Sequence, residues 1–129
     1  MSRFLSSFNS QGYALMRSVV GFLFLWHGAQ KLFGFPSPPP AGMPEFIIYV
    51  AGSIELVGGA LVMAGFLTRW AAFICSGQMA VAYWMVHGRN ALLPLQNHGE
   101  LAALYCFVFL FISTQGSGIW SVDAAQNRQ

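Results

Sequence analysis

Residues 46–67 read FIIYVAGSIELVGGALVMAGFL, an apolar run whose one charged residue, Glu55, lies near its middle. A run of about 20 apolar residues is long enough to cross a bilayer as a helix. A charge at the centre of a membrane costs about 2.5–3.5 kcal/mol, so it is retained where a partner, a proton or a water-lined pocket compensates it. Glu55 is therefore the first candidate functional residue, with a structural hydrogen bond in the protonated form as the alternative.

The composition of the whole chain agrees with this run. Of its 129 residues, 56% are hydrophobic, 16% aromatic and only 8% charged, whereas soluble domains carry about 25% charged residues. A net charge of +2, scattered along the chain, lacks the clustered basic face that nucleic acid requires, so nucleic acid is excluded as a partner.

Four apolar runs predict an all-α integral membrane protein, an antiparallel up-and-down four-helix bundle. Residues 1–129 form one domain in this interpretation, and its helices are expected at about 13–33, 46–67, 70–87 and 100–115. Small residues on the second and third runs indicate close helix packing, namely Gly52, Gly58, Gly59 and Gly65 with Ala72, Ser76 and Ala80.

Basic residues near the run ends predict the orientation, because cytoplasmic segments are enriched in Lys and Arg. With an even number of spans, the side of the termini carries more of them than the opposite side, namely Arg3, Arg17, Arg69 and Arg128 against Lys31 and Arg89. The prediction is a multi-pass protein of the plasma (inner) membrane with both termini in the cytoplasm. Its two longer loops then face outward, and the lipid bilayer is its immediate partner.

Depth along the helices, at 1.5 Å per residue, indicates which polar groups can meet. Glu55 and Gln78 each lie about ten residues, or about 15 Å, from the outer end of their helices, so a hydrogen bond between them is feasible. His27 lies about 9 Å inside the outer end of the first helix, with Lys31 one turn above it on the same face. The outer boundary holds three further polar residues, His87, His98 and Glu100.

These residues predict a polar column from the outer loops to Glu55. We expect Glu55 and His27 to be the catalytic groups, and the expected ligand-binding residues are Lys31, Gln78, His98, Glu100 and Trp26. Structural alternatives remain for several of them. Lys31 can extend to the headgroups or pair with Glu45 or Glu100, His27 can be a buried hydrogen-bonded imidazole, and His87 and His98 can simply be solvated. Most outer aromatic residues, Trp26 among them, can belong to the interfacial belt.

The cytoplasmic end contains charges of opposite sign. Arg17 and Arg69 are placed to meet Asp123, which lies in the glycine-containing tail segment GSGIWSVD at residues 116–123. The prediction here is a structural ion pair that clasps the tail to the helices. Trp120 in the same segment can anchor at the headgroup level.

Five ordered blocks of this chain resemble the DoxX family of small integral membrane proteins. They are GFLFLWHGAQKLFG at 21–34 after Arg17, ELVGG at 55–59, GFLTR at 65–69, NHGE at 97–100 and GSGIWSVD at 116–123. His98 stands where the family usually has a glycine. The resemblance implies a four-helix plasma-membrane protein associated with redox chemistry, such as a subunit of thiosulfate:quinone oxidoreductase. The positions that it carries over are His27, Lys31, Glu55, Arg69, Glu100 and Asp123.

The functional hypothesis is a quinone-linked redox component in which His27 and Lys31 bind the quinone oxygens while Glu55 and Glu100 relay protons. Iron–sulfur binding needs a set of cysteines that the chain lacks, so a redox partner subunit or a bound cofactor is required. Haem, through His27 with His87 or His98, and copper, through Met85, His87 and His98, are disfavoured, and no metal is expected. The alternative is a non-catalytic carrier, binder or assembly partner for a small hydrophobic molecule or membrane protein, with transport requiring a homo-oligomer.

Overall fold

A computed structural model describes residues 1–128, and this part of the chain is helical without strands, which confirms the all-α prediction. The helices are α1 (Ser2–Ser6), α2 (Asn9–Phe33), α3 (Glu45–Ala64), α4 (Thr68–Ala82), α5 (Pro94–Asn97), α6 (Glu100–Gln115) and α7 (Val122–Ala125). A π-helical turn, Tyr83–His87, continues α4 without a break. The first long helix begins at Asn9, earlier than the predicted residue 13, because the polar residues before the apolar run are also helical.

The connection between α3 and α4 differs from the prediction. The sequence predicts a helix to Leu67 and a turn at Thr68-Arg69, but α3 ends at Ala64 and α4 already begins at Thr68. Gly65 ends α3 in a left-handed conformation with φ of 70°, and Phe66 N donates to Leu61 O at 2.9 Å. Glycine adopts this helix-ending conformation at no steric cost, so its position rather than the end of the apolar run sets the limit.

The antiparallel helices α2 and α3 pack backbone to backbone through glycines. A Cβ atom added to Gly28 would lie 2.6 Å from the carbonyl oxygen of Gly52, and one added to Gly59 would lie 2.9 Å from that of Gly21. Both distances are too short for a real side chain. The glycines therefore allow the close approach that small residues commonly provide between membrane helices.

The second pair consists of α4 and α6, and it joins the first pair through α3. Ser76 Oγ on α4 donates to the carbonyl oxygen of Cys106 on α6 at 2.7 Å. Gly58 on α3 leaves room for the sulfur of Cys75 on α4. The core between the pairs is apolar and fully buried at its centre, with Phe24, Val62, Ala72, Cys75, Phe109 and Ile112 as members.

The predicted ion pairs of Asp123 with Arg17 and Arg69 do not form within residues 1–128. Arg17, fully buried, donates to the carbonyl oxygens of Val62, Met63 and Trp120, each at 2.8 Å. Arg69 donates to the carbonyl oxygens of Ser113 and Thr114 at 3.0 and 2.6 Å. The physical reason is that the last carbonyls of α3 and α6 have no partners within their helices, so the cations bind there instead.

Asp123 binds the N-terminal end of α4, where backbone N–H groups lack partners within the helix. Its carboxylate accepts hydrogen bonds from the backbone N–H groups of Leu67 and Thr68, both at 3.0 Å, and from the Thr68 hydroxyl at 2.8 Å. Burial alone would raise the pKa of the Asp123 carboxyl, but these hydrogen bonds outweigh it and lower the pKa below its ordinary value. The tail is therefore attached to the helices by helix capping rather than by ion pairing.

By length and hydropathy, one helix within residues 1–128 qualifies as a candidate membrane span, Glu45–Ala64 with a mean hydropathy of 2.0. The apolar helix Glu100–Gln115 is shorter than such a span. This criterion does not confirm the predicted multi-pass arrangement. One reason is that α2 contains polar residues such as Arg17 and Lys31, which lower its hydropathy although both make contacts with other helices.

Candidate functional site

A cavity of about 470 Å³ lies at the end of the molecule that carries the two longer connections, between the pair α2–α3 and the pair α4–α6. Its walls are mostly apolar, with Phe24, Ile47, Met79 and Leu101 among them. The polar residues that line it come from all four long helices and the loop before α6, namely His27, Lys31, Glu55, Gln78, His87, His98 and Tyr105.

Three of these residues form a hydrogen-bonded group, the Lys31–Glu55–Gln78 triad. Lys31 Nζ lies 2.7 Å from Glu55 Oε2, and Gln78 Nε2 donates to Glu55 Oε1 at 3.0 Å. The depth comparison makes the bond between Gln78 and Glu55 feasible, and the structure contains it. The side chain of Glu55 is 2% exposed and that of Lys31 is 12% exposed, so this charge pair is largely removed from solvent.

The structure gives Lys31 a partner that the sequence did not single out. The structural alternatives for Lys31 were a headgroup contact or an ion pair with Glu45 or Glu100, but both of these glutamates are exposed and Lys31 instead turns inward to Glu55. The long lysine stem allows the ammonium to reach a carboxylate away from its own position along the helix. The buried carboxylate needs a counter-charge far more than the two solvated ones do, which explains the choice.

The amide of Gln78 leaves one atom without a partner. Within residues 1–128, Gln78 Oε1 is buried and accepts no hydrogen bond. The wall next to this group includes His27 and Tyr105, whose rings meet edge to face with centroids 6.0 Å apart. Neither side chain makes a hydrogen bond to another described residue, so both keep their polar atoms for other partners.

The mouth of the cavity is organised by Asn97, a residue that the site prediction missed. Its side chain is almost fully buried, donates to the Tyr83 hydroxyl at 3.1 Å and accepts from Gly99 N at 2.8 Å. The carbonyl oxygen of Asn97 lies 3.1 Å from His87 Nδ1. Since a carbonyl only accepts, Nδ1 carries the proton there. The signal in the sequence was the block NHGE, which the resemblance singled out without giving Asn97 a role.

His98 lines the cavity mouth and is exposed. It adopts a left-handed backbone conformation with φ of 59°, which glycine adopts more readily than other residues. A glycine, which the resemblance leads one to expect at this position, would adopt this conformation without steric cost. His98 therefore adds an imidazole to the mouth at the expense of some backbone strain.

Two predicted ligand-binding residues lie outside the cavity wall. Trp26 is 37% exposed and its ring packs near Phe22 and Phe35, with centroids 6.0 Å away in each case. Because its neighbour His27 faces the cavity, a rotation of about 100° per residue carries Trp26 to the outer surface. Glu100 is exposed in the first turn of α6, where a carboxylate is favoured by the helix dipole without facing the cavity.

Tyr105 is a cavity residue that the sequence interpretation did not assign to the site. Its ring is buried between Phe24 and Phe109, at centroid distances of 5.1 and 5.8 Å.

Within residues 1–128, no group of three or more His, Cys, Asp or Glu side chains is arranged to hold a metal ion. The cavity side chains that can form hydrogen bonds or exchange protons with a bound molecule include His27, Lys31, Glu55 and Tyr105.

Residues 12–88 match the sequence model of the DoxX family. The chain belongs to the DoxX family. The matched segment contains His27, Lys31, Glu55 and Gln78, whereas Tyr105 lies beyond it.

Three relatives of this DoxX protein match it over most of their own length. An uncharacterized protein of Haemophilus influenzae is 40% identical over 116 residues, which are 85% of this chain and 87% of the relative. A Bacillus subtilis protein named "Putative oxidoreductase CatD" is 39% identical over 116 residues, 87% of this chain and 84% of CatD. The Escherichia coli inner membrane protein YqjF is 25% identical over 127 residues, 92% of this chain and 94% of YqjF. No solved structure matches the chain.

Proposed function

We propose that this protein is a multi-pass four-helix bundle of the inner membrane that binds a quinone or similar small amphiphile as part of a membrane redox system. The observation that carries the proposal is the Lys31–Glu55–Gln78 triad, whose buried charge pair lines a mostly apolar cavity. A charge pair in such surroundings is costly to maintain, and intramembrane ionisable groups are usually functional.

The distribution of polar and apolar side chains supports the membrane location. Large apolar side chains are exposed on all four long helices, for example Phe22, Val57, Phe73 and Phe107 at 47–68% exposure. Charged and polar side chains such as Arg17 and Glu55 are buried instead. This distribution suits a lipid environment, where apolar surface needs no burial and polar groups need internal partners. The name of the Escherichia coli relative YqjF agrees with an inner-membrane location.

The basic residues support cytoplasmic termini. Arg17 and Arg69 both bind carbonyl groups at the end of the molecule where the tail packs, and cytoplasmic ends are the ones enriched in arginine. Fusions test this orientation. Alkaline phosphatase inserted after Arg89 should be active, and green fluorescent protein after the C-terminus should fluoresce. The opposite pair of results would place the cavity on the cytoplasmic side and refute the orientation.

The cavity has the size and lining that a small planar amphiphile needs. Its volume of about 470 Å³ falls within the range of about 300–1,000 Å³ that is usual for small-molecule sites. Apolar walls suit a ring and its tail, while Lys31, with further N–H donors beyond its bond to Glu55, suits a carbonyl oxygen. A quinone, when bound, takes up two electrons and two protons. His27 and Glu55 are the side chains of the cavity that we propose to exchange protons with it.

The electrons require a second component. The chain lacks the cysteine set of an iron–sulfur protein, so we propose that a redox partner supplies or removes them. The name of the relative CatD agrees with a redox role.

Quinone binding is tested with the protein in lipid nanodiscs, using decylubiquinone and empty nanodiscs as the blank. Wild-type protein should show saturable binding above the blank. The double variant Lys31→Met/Glu55→Gln keeps the cavity neutral and its packing volume similar, and we expect its affinity to fall about tenfold or more through loss of a charge-assisted hydrogen bond. Arg89→Gln is the control, because Arg89 is exposed at the same end and lies outside the cavity wall.

Two outcomes decide between the functions. Absence of saturable binding in wild-type protein would refute the quinone proposal. Saturable binding without quinone reduction, when membranes supply electron donors, would favour the non-catalytic carrier or binder.

A further inference from the structure

The amide of Gln78 is held in one orientation by the triad. Glu55 Oε2 is paired with Lys31 Nζ at 2.7 Å, and Glu55 Oε1 lies 3.0 Å from Gln78 Nε2. An ionised carboxylate accepts hydrogen bonds and donates none. Turning the amide over would bring two oxygen atoms together, so Gln78 must direct its nitrogen toward Glu55. Its oxygen, Oε1, is consequently left as a group that can only accept.

This oxygen lacks the donor that a buried acceptor requires. Gln78 Oε1 is buried without a hydrogen-bond partner within residues 1–128, whereas the large majority of buried polar side-chain atoms have one. Gln78 lines the cavity. A molecule in the cavity that reaches this oxygen can supply the missing O–H or N–H group.

Three other polar groups of the cavity, Lys31, His27 and Tyr105, do not require a donor. Lys31 only donates, so it pairs with any ligand oxygen that has a lone pair. The Tyr105 hydroxyl and a neutral His27 imidazole can each donate or accept, and they adapt to whichever group they face. Among the four groups Lys31, His27, Tyr105 and Gln78, only Gln78 distinguishes a ligand that donates from one that only accepts.

We propose that the cavity selects the reduced, dihydroxy form of its aromatic ligand, the quinol, and that Gln78 Oε1 is the acceptor that makes the selection. This proposal rests on the proposed function and adds the oxidation state of the ligand. The oxygens of a quinone only accept, so quinone pairs with Lys31 and leaves Gln78 Oε1 unpaired. A quinol hydroxyl accepts from Lys31 through its lone pairs, and a hydroxyl hydrogen satisfies Gln78.

Leaving one buried acceptor unpaired lowers affinity by about 5- to 150-fold. We therefore expect wild-type protein to bind the quinol at least about fivefold more tightly than the quinone. The experiment measures both dissociation constants anaerobically in nanodiscs, with decylubiquinone and its chemically reduced quinol as probes. A redox titration of the bound probe gives a second measurement, since a tenfold preference raises a two-electron midpoint potential by about 30 mV.

A variant and its control test the role of this oxygen. Gln78→Met removes Oε1 together with Nε2, the donor to Glu55. Loss of the Nε2 bond affects the binding of quinone and quinol alike, so the ratio of the two affinities reports on Oε1, and we expect this ratio to fall to about one. Gln11→Met is the control, because Gln11 Oε1 is also buried and unpaired but Gln11 lies outside the cavity wall. That control should keep the wild-type preference.

The outcomes separate this inference from the proposed function. If wild-type protein binds both forms equally, the selection by Gln78 is refuted while ligand binding stands, and an ordered water must satisfy Oε1 instead. If wild-type protein binds neither form, the proposed function itself fails. The ratio in wild-type protein is decisive even if Gln78→Met does not fold.

Discussion

Lys31 and Glu55 should behave as a strongly coupled buried pair when they are replaced singly and together. Lys31→Met leaves Glu55, 2% exposed, without its counter-charge, and stranding a buried charge costs about 3–5 kcal/mol. We expect the low end, about 3 kcal/mol, because the hydrogen bond from Gln78 remains. Glu55→Gln should cost less, about 1–2 kcal/mol, because Lys31 is 12% exposed and can turn its ammonium toward water.

The double variant Lys31→Met/Glu55→Gln should be nearly as stable as Glu55→Gln alone. With neither charge present, the methionine stem occupies the place of the lysine stem and Gln78 retains a partner at position 55. Replacing a whole buried ion pair is often close to neutral. The two single losses should therefore exceed the double loss by about 3 kcal/mol, which is the coupling free energy of the pair.

The assay is reversible unfolding of the four proteins in mixed micelles of dodecyl maltoside and sodium dodecyl sulfate, followed by tryptophan fluorescence. The quantity compared is the free energy of unfolding, extrapolated to zero sodium dodecyl sulfate. Two results would refute the reasoning: a loss below about 1 kcal/mol in Lys31→Met, or single losses that simply add in the double variant. Either would mean that the pair is solvated and contributes no buried charge to the cavity.

Four further variants probe the packing of the helices and the attachment of the tail. Gly28→Ala should lower the free energy of unfolding by about 1–3 kcal/mol, because its Cβ would meet the backbone of α3. Gly77→Ala is the control, with open space around its Cβ, and it should be neutral or stabilising by up to about 1 kcal/mol. If Gly28→Ala and Gly77→Ala changed the free energy of unfolding equally in the same assay, the close packing of α2 and α3 through glycines would be contradicted. Asp123→Asn should cost about 1–2 kcal/mol at pH 7. Because the folded pKa of Asp123 is lowered, its stabilisation is complete above the ordinary aspartate pKa and is lost as the pH falls through the lowered value. The acid-dependent loss should shrink in the variant, and unchanged acid unfolding would count against the cap. Arg17→Met should cost about 3 kcal/mol or more in the same unfolding assay, since buried carbonyls of α3 and the tail lose their donor. A loss below about 1 kcal/mol would show that other contacts hold the tail.

The amino-acid sequence contains enough information for the class of the protein and for its central residue. Apolar runs with few charges indicate long helices of a membrane protein, and Gly34 marks the end of the first long one, in a left-handed conformation. Glu55 is conspicuous because it interrupts the run from 46 to 67. Depth along the helices also shows that a contact between Gln78 and Glu55 is feasible, since helix rise sets the level of each residue.

Helix rotation and helix ends account for what the sequence did not predict. Whether Trp26 or His27 faces the cavity depends on the rotation of α2 about its axis, which the glycine contacts with α3 determine. Position in a single run does not contain that information.

Contacts between residues on different helices could not be predicted from position in a single run either. Lys31 binds Glu55, 24 residues away in sequence, and Arg17 binds the carbonyl of Trp120, 103 residues away. The sequence shows that these charges need partners. Only the packed helices show which partners are within reach: Arg17 lies beside the unpaired carbonyls at the end of α3, and Lys31 lies beside the buried carboxylate of Glu55.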